Sequence, residues 1–253
     1  MNVDLNSDLG ESFGAYTIGR DADIIPLVSS VNIACGMHAG DPVVMRRTVH
    51  TAHEAGVALG AHPGYPDLQG FGRRNMALSP DEAYAFVLYQ VGAIAAFCHA
   101  EGAVLHHVKP HGQLYNTAAK DPALAEAIAA AVHDADTGLV LVALAGSELA
   151  RAGRKAGLSV AEEFFADRAY TDDGTLVPRK EPNAVITDAT FAAERALRAV
   201  QTGTIESVSG KTIHVAADTI CTHGDNDRAL AFVRLLRATF AEAGVAIAPP
   251  TRG

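Results

Sequence analysis

Short apolar runs alternate with helical patterns along the whole chain. Residues 3–5, 30–35, 57–61, 103–108, 138–145, 158–161 and 218–221 are short and apolar enough to be buried strands. Between them lie helix start signals. Asp41-Pro42 is an N-cap followed by proline at the first helical position, and Gly56 closes that helix. Ser79-Pro80-Asp81-Glu82 reads as a capping box, with Gly102 as the stop. Asp121-Pro122 repeats the device, and Asp225 is placed to cap a last long helix that runs to Gly244. About seven such β-α units suggest a parallel barrel or a doubly wound sheet. One segment departs from the pattern. Residues 204–207 and 212–216 alternate apolar and polar around Ser209-Gly210, which predicts a β-hairpin insertion near 203–217. No Ser/Gly linker or low-complexity stretch divides residues 1–253, so one domain is expected.

Composition narrows the function classes. Apolar residues make up 49% of the chain, enough for a sizeable core. The net charge of -9 argues against nucleic acid, whose phosphates call for a basic patch. Three cysteines, with no CxxC pair, argue against a disulfide framework and for a reducing compartment. The first residues are polar and acidic, unlike a secretory signal. The apolar run at 139–146 is too short to span a bilayer. The expectation is a soluble cytoplasmic protein with no nucleic-acid or membrane partner.

Candidate chemistry sits at the strand ends. Four of them share the order strand, His, Gly: CGMHAGD (35–41), GAHPGYPD (60–67), KPHGQLYN (109–116) and CTHGDND (221–227). The first strand ends comparably, with Asn6, Asp8 and Glu11 before Gly14. In a parallel barrel all strand C-termini open on one face, so these residues would converge there. His107, Lys109 and His111 form a stripe at alternate positions, and Lys109 is placed to balance an oxyanion or a phosphate. His107 is the deepest of the three and reads equally well as a core histidine. In GFGRR (70–74), Arg73 or Arg74 could grip a carboxylate or phosphate. Asp41, Asp167, Arg168, His223 and Asp225 are candidates for the rim. Asp8, His38 and His62 make a possible Asp-His-His metal set, while Cys35 with His38, or Cys221 with His223, offers soft ligands. No compact motif such as HExxH supports either, so the metal question stays open. Gly210-Lys211-Thr212 imitates the end of a P-loop. Position 205, where the first glycine belongs, is Ile205, so the segment is read as the hairpin turn.

The blocks VDLNSDLGESFG (3–14), NIACGMHAGDP (32–42), GAHPGYPDLQGFGRR (60–74), HVKPHGQLYN (107–116), EFFADRAYTDDGTLVPR (163–179) and ICTHGD (220–225) together resemble the LamB/YcsF family. The resemblance covers nearly the whole chain, in order. Ser7 stands where many members carry cysteine, and Gly64 where serine is common. The resemblance implies a distorted parallel β/α barrel with a small hairpin insertion. It implies the role of the A subunit of 5-oxoprolinase: the ATP-dependent opening of 5-oxo-L-proline to L-glutamate, together with 5-oxoprolinase subunits B and C. ATP, accompanied by magnesium, is then a co-substrate, and no tightly bound cofactor is expected.

On that reading Lys109 faces the oxyanion or phosphate, and His38, His62 and His111 are acid/base or orienting groups. Asp8 and Glu11 hold the ring N–H or a metal. Asn6 and His107 join the binding set. Replacing Lys109 by Ala is expected to abolish turnover and leave the fold intact. Two rivals remain: a stand-alone metal-dependent amidohydrolase or deacetylase using Asp8, His38 and His62, and a non-catalytic subunit that only binds the substrate.

Overall fold

A computed structural model describes residues 1–223 and 227–252. Its strands are β1 (Asn2–Leu9), β2 (Ser30–Ala34), β3 (Ala58–His62), β4 (Leu105–Val108), β5 (Val140–Leu144), β6 (Ser159–Phe165), β7 (Thr204–Glu206), β8 (Thr212–His214), β9 (Thr219–His223) and β10 (Ala246–Ile247). Its helices are α1 (Asp21–Ile24), α2 (Pro42–Glu54), α3 (Pro80–Ala100), α4 (Gly112–Ala118), α5 (Pro122–Ala135), α6 (Glu148–Lys155), α7 (Ala189–Thr202) and α8 (Asp227–Glu242).

Strands β1 to β6 and β9 pair in parallel in that order, and β9 returns to pair with β1. The barrel is therefore closed, which removes every sheet edge from its wall. Helices surround it, as the α/β pattern requires. The short β10 adds to β1 at Asn2 and Val3 and was not expected from the sequence. The predicted hairpin is present as antiparallel β7 and β8.

The start signals act as read. Asp41 accepts the amides of Val43 and Val44 at the head of α2. Ser79 and Glu82 form a reciprocal capping box at the head of α3. Asp121 accepts the amides of Ala123 and Leu124 at α5. Asp225, the expected cap of the last helix, lies outside the described residues. Helix α3, at 21 residues, is much longer than the run at 139–146 and is also largely apolar. By length and composition alone it could cross a membrane. Here Val87, Val91, Ile94 and Cys98 bury one face of it in the core.

Alternation decides what fills the barrel. On β1, Val3, Leu5 and Leu9 face the helices and join the main core, while Asp4, Asn6 and Asp8 point inward. The inward residues of β2 are Ser30 and Asn32, and those of β9 include Thr219 and Cys221. Val140, Val142 and Ala161 form a small apolar patch of their own. One side of the lumen is thus a polar column, where barrel interiors are usually layers of branched apolar side chains.

At the foot of this column Asp4 accepts Ser30 Oγ at 2.8 Å and Thr219 Oγ1 at 2.5 Å. Above it Asn6 donates to Thr219 at 2.6 Å, and Asn32 donates to Asn6 at 2.7 Å. Gly60 is required beside them, because a Cβ there would lie 2.1 Å from His107 Nε2. The β3–β4 register shifts at this point.

Burial raises the Asp4 pKa from 3.8 to about 6, against the pull of its hydroxyl donors. The folded state then holds this proton more tightly than the unfolded chain does. The contribution is complete below the unfolded pKa and is lost as pH rises through the folded value. Between about pH 4 and about pH 7, wild type is expected to lose about 2 kcal/mol relative to Asp4→Asn. Denaturant unfolding of both proteins at the two pH values measures this; parallel pH profiles would refute it.

Candidate active site

Lys109 continues the inward stripe of β4 past Val108, as the sequence suggested. Its side chain is 3% exposed. The ammonium donates to Asn6 Oδ1 and Asp8 Oδ1, each at 3.0 Å, and meets Glu163 Oε1 at 2.7 Å. Cys221 Sγ lies at 3.3 Å, and the Phe165 ring centroid at 5.6 Å. Burial opposes this charge, but the carboxylates of Asp8 and Glu163 outweigh it and hold the Lys109 pKa well above the ordinary lysine value. Burial pushes the Cys221 thiol up, so it faces the ammonium as neutral sulfur. Tyr115, from α4, donates its hydroxyl to Glu163 Oε2 at 2.6 Å.

Beside this ion cluster stand three imidazoles and a carboxylate: His38, His62, His111 and Glu11. Glu11 comes from the loop after β1, His38 from the loop after β2, His62 from the end of β3 and His111 from the segment after β4. His38 stacks face to face on His111 with centroids 3.7 Å apart, and His62 meets both rings edge-on. Gly64 and Gly72 leave room for this stack. A Cβ at Gly64 would lie 2.5 Å from His38 Nδ1, and one at Gly72 would lie 2.9 Å from both His38 and His111. His62 Nδ1 donates to the Lys109 carbonyl at 2.7 Å, and His111 Nε2 donates to the Phe71 carbonyl at 2.8 Å. Burial lowers the pKa of His38 and His111 well below the usual value, so these rings are neutral near pH 7. Burial raises that of Glu11.

A cavity of about 770 Å³ opens above these groups at the C-terminal ends of the strands. Asp8, His62, Lys109, His111 and Tyr115 line its floor and wall. Arg73, Lys120, Arg168, Arg179 and Lys180 reach it at the rim. A chain of net charge -9 therefore presents a cationic mouth over its site.

The structure sorts the other candidates. Asn6 and His107 lie beneath the cavity; His107 Nε2 donates to Asn32 Oδ1 at 2.9 Å and does not line it. The stripe does point inward, with its first member serving the column below. Arg73 stands at the mouth with its guanidinium over the Phe71 ring, whereas Arg74 is directed to Asp67 and away from the cavity. Asp41 is not a rim residue: its carboxylate is committed to the head of α2 and to the Gly14 amide. Arg168 both lines the cavity and ties its loop, donating to the carbonyls of Val177 and Ala184. Asp167 is not among the lining residues, and its carbonyl receives the Ile186 amide. His223 pairs with Asp8 along β9, but its side chain, like all of Asp225, lies outside the described residues. Cys35 is set apart from the imidazoles, with its thiol donating to the Ile33 carbonyl.

Sequence reasoning missed Glu163, Tyr115, Asn32 and the rim residues Lys120, Arg179 and Lys180. Glu163 was legible in principle. β6 runs to Phe165 rather than ending at residue 161, and Ala161, Glu163 and Phe165 alternate inward along it.

Charged and imidazole groups gathered at the strand ends of a closed parallel barrel are the make-up of a barrel enzyme. The chain belongs to the LamB/YcsF family, whose model matches residues 3–253. It is 57% identical over 250 residues to a Geobacillus kaustophilus protein named as the A subunit of 5-oxoprolinase, covering 99% of this chain and 97% of that one. A Bacillus subtilis protein of the same name is 54% identical over 247 residues, covering 98% and 96%. The crystal structure of the lactam utilization protein from Thermus thermophilus superposes with a TM-score of 0.93 at 52% identity, covering 98% of this chain and 99% of that one. The lettered names imply that those relatives work beside other subunits.

The burial of Lys109 revises the expectation that its removal spares the fold. Lys109→Ala strands Asp8 and Glu163 without a cation and is expected to cost about 3–5 kcal/mol of stability. Urea unfolding measures it. A loss below about 1 kcal/mol would mean that the native carboxylates already carry a compensating proton.

Proposed function

We propose that this chain is the A subunit of an ATP-dependent 5-oxoprolinase. With subunits B and C it opens 5-oxo-L-proline to L-glutamate, converting ATP to ADP and phosphate. The observation that carries the reading is the cavity itself. A buried Lys109 paired with Asp8 and the imidazoles of His62 and His111 form its floor and wall, and cations ring its mouth. The names of the close relatives point the same way. Three free, buried cysteines suit a reducing, cytoplasmic setting.

The chemistry matches these groups. An unstrained lactam is a poor electrophile. Phosphorylation of its amide oxygen by ATP, brought in with magnesium, activates the carbon. Water adds, the ring C–N bond breaks with a proton delivered to nitrogen, and a second water hydrolyses the resulting acyl phosphate to carboxylate and free phosphate. Lys109 meets the amide oxygen, where negative charge develops. Asp8 accepts the ring N–H. His62 and His111, on the cavity wall, orient the reacting water. Arg73 takes the substrate carboxylate, and Lys120, Arg168, Arg179 and Lys180 take phosphate oxygens. The cavity volume falls in the range of small-molecule sites and leaves room beyond the five-membered ring.

The test is glutamate formation from 5-oxo-L-proline by this chain alone and with subunits B and C, each with and without ATP. Turnover is expected only with both partners and nucleotide. Turnover by this chain alone without ATP would instead identify a stand-alone hydrolase. Equal turnover by B and C without this chain would reduce its role to substrate binding.

A further inference from the structure

The imidazole cluster carries a contradiction that hydrogen bonding does not resolve. A carbonyl oxygen can only accept, so the bond from His62 Nδ1 to the Lys109 carbonyl places the proton of that ring on Nδ1. The bond from His111 Nε2 to the Phe71 carbonyl places the proton of the second ring on Nε2. The remaining nitrogens, His62 Nε2 and His111 Nδ1, then both carry lone pairs, and they face each other at 3.0 Å. Glu11 Oε1 adds another lone pair 3.4 Å from His111 Nδ1 and 3.4 Å from His38 Nε2. Both ring nitrogens of His38 and Glu11 Oε1 are buried without a hydrogen bond. Three acceptor atoms thus converge, and His38, buried beside them, makes no hydrogen bond to any of them.

We infer that Glu11, His38, His62 and His111 form a binding site for one divalent first-row transition-metal ion. The four ligand atoms lie within 4.8 Å of one another. Ligands bound at about 2.0–2.2 Å to one ion stand about 3.0–3.5 Å apart at ordinary coordination angles, and the 3.0 and 3.4 Å separations fall in that range. A single shared proton could join only one pair of these atoms; an ion serves all four. The donor set selects the metal class, because imidazole nitrogens with one carboxylate suit zinc, cobalt, nickel or iron, whereas magnesium prefers oxygen. The backbone carbonyls behind His62 and His111 are the partners that orient metal-bound histidines elsewhere. His62 and His111 also line the cavity, so the ion is reached from the substrate side. The earlier Asp-His-His set is thereby revised: Glu11 and His111 complete it, while Asp8 lies 3.4 Å from His62 and is bound to Lys109. With the ion in place, His62 and His111 serve as its ligands and not as bases. The site follows from the cluster geometry and is independent of the lactam reading.

The test is binding, not turnover. The untagged chain is stripped with chelator, dialysed and titrated with Co²⁺, following its visible d–d absorption and the bound metal by elemental analysis. One equivalent is expected, with a rise in the thermal midpoint. His38→Ala and His111→Ala are expected to weaken binding at least 100-fold, and Glu11→Gln at least 10-fold. Glu11→Gln preserves shape, so an unchanged near-ultraviolet circular dichroism spectrum in that variant separates lost ligation from lost folding. Absence of a stoichiometric ion would overturn the inference. So would binding that all three variants retain, because it would place the ion on other histidines.

Discussion

A lysine ammonium inside a barrel has to be met from every side, and much of the lumen is arranged to meet it. The penalty for an ion taken out of water is several kcal/mol even after the protein relaxes. Asp8 and Glu163 supply the charge, and Asn6 supplies a neutral oxygen. Each of these must itself be satisfied. Asn32 donates to Asn6 and Asp8, His107 donates to Asn32, and Tyr115 donates to Glu163. The chain of obligations ends only at Asp4, which takes three hydroxyl donors and still shifts toward its protonated form. An apolar filling of the same volume would often be as stable or more so. Stability is therefore a poor reason for the cluster, and placing a fixed positive charge under the cavity is a better one.

This demand divides the barrel. Its polar column draws on β1, β2, β4, β6 and β9, while Val140, Val142 and Ala161 keep an apolar patch on β5 and β6. The period of two along a strand lets both duties coexist. On β1 the odd positions Val3, Leu5 and Leu9 hold the helices, and the even positions Asp4, Asn6 and Asp8 build the column. A one-residue slip would bury three polar groups among apolar helices, so the register of β1 is strongly specified.

The same period explains what the sequence made legible. Seven strands, the capped helices and the hairpin follow from local pattern and end signals. The Lys109 stripe and the four His-Gly strand ends follow from spacing. Partner choice did not follow. Asp41 carries the same carboxylate whether it caps a helix or binds a ligand, and only the structure shows Val43, Val44 and Gly14 using it. Arg73 and Arg74 are neighbours with opposite directions, decided by Asp67. Glu163 was hidden because its strand was ended too early, although a charge flanked by Ala161 and Phe165 at alternate positions was the available sign. The rim cations Lys120, Arg179 and Lys180 come from distant segments whose convergence no local pattern encodes.

The two halves of the site are also mechanically joined. Phe71 adopts a φ of 55°, a conformation L side chains rarely take and one that costs on the order of 1–3 kcal/mol. That turn aims its carbonyl at His111 and sets its ring edge-on to His38 and His111. Lys109 does the corresponding work for His62. Its carbonyl fixes the proton on Nδ1, while its ammonium holds Asp8, whose other oxygen lies 3.4 Å from Nε2. One residue thus sets the tautomer of the imidazole through its backbone and the charge facing that imidazole through its side chain. A change that moves β4 by a fraction of an ångström shifts the ion cluster and the imidazole wall together, so the two cannot be tuned separately.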